Sequence, residues 1–186
     1  MIHDPALLEQ LSLLPTELFD GEVFRATRRN LDPLAFSTRA GRWGRDGGTA
    51  ILYTSLESNG ALAEIVFHWS QFTPLPSKPI MLHRLQVKTK NSARLPRANL
   101  ASFGVDTSKF GRLDYSKTQQ IGEACAFLGY DGLIAPSARW DCDNLILFND
   151  NQSNESDLMV VSSETIEWIE WGTQHGIIKL DEANNV

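Results

Sequence analysis

Hydrophobic positions along the chain follow two periods, one helical and one of strands. Leu7, Leu8, Leu11 and Leu14 recur at helical spacing behind Asp4, an N-cap type, and Pro5, a first-turn proline; Pro15 stops the run. The pattern predicts a short amphipathic helix packed on a core. Glu22 to Ala26 reads as a strand, with Arg25 interrupting its apolar run. From Gly41 to Ser55, a loop carrying four glycines, Arg42, Trp43 and Arg45 turns into the apolar run Ala50 to Tyr53, which predicts a buried strand. Leu62, Ile65, Val66 and Trp69 then fall at i, i+3, i+4 and i+7, the buried stripe of a helix. Ala61, Glu64 and His68 form the neighbouring stripe, so Glu64 stands beside the core face with a small residue one turn before it.

Pro74, Pro76 and Pro79 make a stiff connection into Ile80 to Val87, whose alternation predicts a half-buried strand. Residues 89–115 are polar and broken by Pro96, Gly104 and Gly111; they read as a long surface excursion with one short helix near Leu100. Ser116-Lys117-Thr118-Gln119 has the form of a capping box ahead of the stripe Ile121, Ala124, Cys125, Leu128, and Gly129 sits where a C′ glycine belongs. A turn at Tyr130-Asp131-Gly132 leads to a strand Leu133 to Ala135, and Asn144 to Phe148 is another. The tail predicts a small strand, Leu158 to Val161, and a helix from about Glu164 to Trp171, with fraying from Asp181 to Val186.

At 186 residues and 42% hydrophobic content the chain suits one domain, 1–186, with a real core. A net charge of −6 argues against a general nucleic-acid or anionic-membrane binder, although arginines concentrate between Arg25 and Arg45. Arg28, Arg29 and Arg39 read as a solvated basic face. Two cysteines, Cys125 and Cys142, form neither a metal pattern nor a disulfide framework, which favours a reduced cytoplasmic setting. Neither a signal peptide nor a span of transmembrane length is visible. The four histidines make no zinc pattern, and GxGxxG, Walker and Gly-x-Ser-x-Gly motifs are absent.

Glycines let backbone approach a ligand, and arginine binds phosphate with a planar fork. A glycine loop with Arg42, a strand ending at Tyr53 and a helix bearing Glu64 together form a candidate nucleotide pocket. Taken alone, Glu64 reads as an ordinary solvated helix glutamate.

The ordered set Val-Phe-Arg25, Gly-Arg42-Trp43, Leu-Tyr53-Thr-Ser, Ala-Leu-Ala-Glu64, Gly-Tyr-Asp-Gly132, Pro-Ser137-Ala-Arg139 and Asn144-Leu-Ile-Leu-Phe resembles the RES domain, over about residues 21–150. One departure is Gly44, where that family usually has asparagine. The resemblance implies a single α/β (α+β) domain, a central mixed sheet flanked by helices, similar to ADP-ribosyltransferase-like toxins, with residues 151–186 as a C-terminal strand and helix extension. It implies the toxin of a RES–Xre toxin–antitoxin pair, cytoplasmic, which degrades NAD as substrate by hydrolysis or phosphorolysis of the nicotinamide–ribose bond, with no cofactor and no metal. The implied partners are NAD and an Xre-type antitoxin, with neither nucleic acid nor membrane bound directly, and with room for a homodimer within the complex. Carried over by motif, Glu64, Tyr53 and Ser137 are the catalytic positions, and Arg25 and Arg42 bind substrate. An ADP-ribosyltransferase acting on a macromolecule and a non-catalytic nucleotide-binding module remain open on the same residues.

Overall fold

The computed structural model describes residues 3–153 and 158–179. Its frame is a six-stranded mixed sheet: β1 (Thr16–Arg28), β2 (Ile51–Ser55), β3 (Ile80–Arg94), β4 (Gly132–Pro136), β5 (Asp143–Phe148) and β6 (Leu158–Ile166), in the order β1-β2-β5-β4-β3-β6. A further β1–β3 pairing closes the first five named strands into a ring. Along its other edge β3 serves β6 over residues 80–87 and then β4, in parallel, over residues 92–94.

Four helices pack around this ring: α1 (Pro5–Ser12), α2 (Ser58–Trp69), α3 (Ser116–Phe127) and α4 (Trp168–Gln174). Asp4 caps α1 by accepting the Ala6 N–H at 3.0 Å, as its sequence predicts. Leu11 is wholly buried, a burial that contributes about 2–3 kcal/mol. The Tyr130 hydroxyl donates to its carbonyl at 3.1 Å. Leu62, Val66 and Trp69 of α2 are buried as their spacing requires, and Trp69 meets Trp168 of α4 edge to face at 5.2 Å. Gly129 takes the left-handed conformation expected after α3 (φ 82°).

Several expectations need correction. β1 is far longer than residues 22–26, because its register with β3 carries it from Thr16 to Arg28. β3 likewise continues through the polar run 88–94, which side-chain bonds make compatible with burial. Asp131 accepts the N–H groups of Lys90 and Asn91, and the Thr89 and Ser92 hydroxyls bond each other at 2.7 Å. The rest of the predicted excursion, residues 95–115, does run mostly over the surface, but Leu95, Leu100, Phe103, Val105 and Phe110 are buried and pin it to the core, and the short helix near Leu100 is 3₁₀ (Arg97–Phe103).

The capping box does not form. Tyr115 occupies the N-cap position of α3, Asp114 takes the Ser116 N–H at 3.1 Å, and Gln119 turns to another task. At the C-terminal end, Glu164 to Ile166 are strand, since pairing with β3 outweighs local helix preference, and the helix starts only at Trp168. The fraying expected from Asp181 onward lies outside the described residues.

Candidate active site

β1 and β2 share a single registered pair, Phe24↔Ser55, and diverge beyond it. The gap is a cleft of about 360 Å³, floored by the two strands and walled by α2 on one side and the Ala40–Trp43 stretch on the other. Arg25, Arg42, Tyr53 and Glu64 all line it. Ser137, just past β4, reaches it through Glu64: its buried hydroxyl donates to Glu64 Oε1 at 2.9 Å. All five residues singled out in the sequence therefore meet at one place, although they span more than a hundred positions of the chain.

Each is held differently. The Ser137 Oγ accepts the N–H groups of Arg139 (3.1 Å) and Trp140 (3.3 Å), so its remaining proton is aimed at the carboxylate. Arg97 fixes the Ser137 carbonyl at 2.6 Å. Arg25 donates to the Tyr53 carbonyl (3.1 Å) and the Ala35 carbonyl (3.3 Å), and its Nε is buried without a partner among the described residues. Burial pushes the Arg25 guanidinium down to about 10, with Asp32 pulling the other way. Arg42 donates to the Phe110 carbonyl at 2.7 Å and lies over the rings of Phe110 and Tyr115, 4.7 and 4.5 Å from their centroids. Burial lowers its pKa too, opposed by Tyr115 and Glu64. Neither arginine forms an ion pair with a carboxylate among the described residues; the salt bridges lie elsewhere. Two partly desolvated cations facing a cavity are suited to an anionic ligand.

Tyr53 turns its hydroxyl toward the loop, where it accepts the Trp43 N–H at 3.1 Å. Burial pushes its pKa up to about 12, so it stays protonated at neutral pH. Its ring forms cleft floor, while its oxygen anchors the stretch that carries Arg42. His68 also lines the cleft, with its pKa lowered by burial. Arg28, Arg29 and Arg39 are exposed, as expected of a solvated face. Cys125 is buried and Cys142 half-buried, both free thiols, with Cys142 Sγ 3.3 Å from Ser55 Oγ.

The residues that shape the glycine loop were not legible as such from local pattern. The Glu123 carboxylate, buried in α3, accepts N–H groups from Arg45 and Thr49 at 3.3 Å each. Gln119 donates to the carbonyls of Gly41 (2.9 Å) and Gly44 (3.3 Å). Gly122 is the contact point between α3 and the loop, because any Cβ there would overlap the Trp43 carbonyl. Both polar residues sit at ordinary helix positions, so only packing distinguishes them. Gly44 is buried, and a Cβ there would stand 2.6 Å from Ile51 Cδ1; a larger residue requires Ile51 to move. Among the described residues no His/Cys/Asp/Glu group is arranged to hold a metal, and no helix is long and apolar enough to cross a membrane.

No curated protein matches the chain significantly. Among solved structures it resembles a chain of the M. tuberculosis MbcT–MbcA toxin–antitoxin complex, with a TM-score of 0.79 at 17% identity, covering 93% of this chain and 98% of that one. That likeness establishes the α/β fold. The RES domain family model matches residues 22–169, which take in the whole cleft as well as β6 and the start of α4. With that match over most of its length, the chain belongs to the RES domain family.

Proposed function

We propose that the protein is the toxin of a toxin–antitoxin pair and cleaves the nicotinamide–ribose bond of NAD. The observation that carries this reading is the pairing of Glu64 with Ser137 at one side of a cleft that also holds two arginines without carboxylate partners. Cleaving a C–N glycosidic bond builds positive charge on the ribose, as in glycosidase transition states. Glu64 offsets that charge, and Ser137 holds the carboxylate in place. Arg25 and Arg42 bind the diphosphate. Nicotinamide leaves as a neutral molecule from a cationic ring, so the site needs no strong acid. The Tyr53 ring supports the sugar end of the substrate while its hydroxyl keeps the arginine-bearing loop in position.

Incubating the purified protein with NAD tests the reaction. Free ADP-ribose identifies water as acceptor, ADP-ribose 1″-phosphate identifies phosphate, and a labelled macromolecule identifies a transferase. NAD recovered intact refutes the reading. The partner on this reading is an antitoxin: the M. tuberculosis neighbour was solved as a toxin–antitoxin complex, and a protein that destroys NAD requires a restraint in its own cell; the Xre type follows from the family resemblance alone. Such a partner inhibits most directly by occupying the cleft, which predicts inhibition competitive with NAD.

A further inference from the structure

Ser137 of the Pro-Ser137-Ala-Arg139 motif serves the cleft through Glu64, whereas Arg139 stands just behind it, outside the lining. The Arg139 backbone N–H donates to Ser137 Oγ at 3.1 Å, and its guanidinium lies over the Phe67 ring of α2, 3.4 Å from the centroid. Its Nη1 reaches across to the Gly111 carbonyl. That carbonyl falls between the two that hold Arg42, those of Phe110 (2.7 Å) and Arg112 (3.5 Å). Two guanidinium groups therefore share one short stretch of backbone. Neither has a carboxylate partner among the described residues.

A cation in this place is costly. Nε and Nη2 of Arg139 are buried with no hydrogen-bond partner among the described residues, and charge taken out of water without a counter-charge destabilises a fold. The Phe67 ring offsets part of that cost. The charge also reaches the cleft. Burial is the main cause that lowers the pKa of Arg42 and of His68, and the Arg139 charge adds to it at both. The neighbouring Arg97 and Arg112 are exposed, where solvent screens them. On the reading proposed above, on which this inference rests, Arg25 and Arg42 take the diphosphate, and its negative charge is the counter-charge that Arg139 lacks among the described side chains. We propose that Arg139 is a third cation of the diphosphate site, acting through space on a ligand it does not touch, while its bond to Gly111 keeps it beside Arg42. It is a positioning residue that raises affinity for the anion and lowers the stability of the free fold.

The test titrates ADP-ribose, which keeps the diphosphate and lacks nicotinamide, into the parent, Arg139→Met and Arg139→Lys by calorimetry. Urea melts and steady-state NAD kinetics run on the same samples. Arg139→Met removes the charge and keeps an unbranched side chain over Phe67. It should weaken ADP-ribose binding by about tenfold. Its urea midpoint should stay level or rise, because an uncompensated buried cation is gone and the exposed Gly111 regains water at its carbonyl. Arg139→Lys should bind within about threefold of the parent, since here charge counts and the planar fork does not. With NAD as substrate, Arg139→Met should raise KM by about tenfold and leave kcat nearly unchanged, because bound substrate and transition state carry the same diphosphate. A methionine variant that loses affinity and stability together, or that fails to fold, overturns the proposal, for that is the result of a purely structural strap. So does a lysine variant as weak as methionine. If NAD stays intact while ADP-ribose affinity follows the expected order, the cleavage reading fails and Arg139 stands. If NAD is cleaved and Arg139→Met binds ADP-ribose like the parent, only the Arg139 proposal falls. A parent that does not bind ADP-ribose removes the diphosphate site and the proposal together.

Discussion

Replacing Glu64 with glutamine separates charge from shape. The Gln amide oxygen can still accept the Ser137 hydroxyl that now donates at 2.9 Å, so the turn after β4 keeps its anchor. Only the negative charge is lost. A unit charge about 4 Å from the ribose, at the effective dielectric of about 20 that suits protein sites, is worth roughly 4 kcal/mol. Part of that is already present in the ground state, because the nicotinamide ring is cationic before the bond breaks. About 3 kcal/mol is left as transition-state stabilisation, on the order of a hundredfold in kcat. Stability should change by less than about 1 kcal/mol, since the hydrogen bond survives. Ser137→Ala is the contrasting control. It removes the donor to Glu64 and also the acceptor for two N–H groups in a fully buried position, so a loss of about 1–3 kcal/mol of stability accompanies its loss of activity. Steady-state NAD turnover with a urea melt of each variant measures both quantities. A folded Glu64→Gln protein with near-parental kcat would sink the electrostatic role.

Arg42→Ala should weaken NAD binding in calorimetry by about tenfold or more, and Arg42→Lys should recover only part of it, because lysine lacks the planar fork that lies over Phe110 and Tyr115; equal affinity in parent and both variants removes Arg42 from the diphosphate site. Since burial brings Arg25 down to about 10, kcat/KM should hold level through neutral pH and fall by about tenfold per unit above that value. The same shift means that the folded state binds this proton less tightly than the unfolded chain, so Arg25 alone makes the fold more stable as pH rises past 10; circular dichroism on the same samples should show an intact fold while activity falls. Gly122→Ala should destabilise by about 1–3 kcal/mol despite alanine's better helix propensity, because its Cβ would overlap the Trp43 carbonyl, and NAD affinity should fall as the Arg42-bearing loop shifts; a more stable variant with unchanged affinity refutes that packing.

Local signals settled much by themselves. The stripe Leu62, Val66, Trp69 announced α2 and the face it buries, and the Asp4–Pro5 pair announced the start of α1, since both depend on residues within a few positions of one another. Motif order was enough to single out Arg25, Arg42, Tyr53, Glu64 and Ser137, because side-chain chemistry is written directly in the sequence. What the sequence left undecided depends on distant partners. Thr89 to Arg94 are mostly polar and read as part of a surface excursion, yet the backbone pairs there, and Asp131, some forty residues on, satisfies the N–H groups of Lys90 and Asn91. Ser116 and Gln119 fit a local cap, but the carbonyls of Gly41 and Gly44 lay within reach of Gln119 and the cap was not made. Glutamates 64 and 123 look alike as helix residues. Tertiary packing put Glu64 against a serine in a cleft and buried Glu123 against loop N–H groups, because in each case the surrounding hydrogen-bond donors come from segments that only the folded ring of strands brings together.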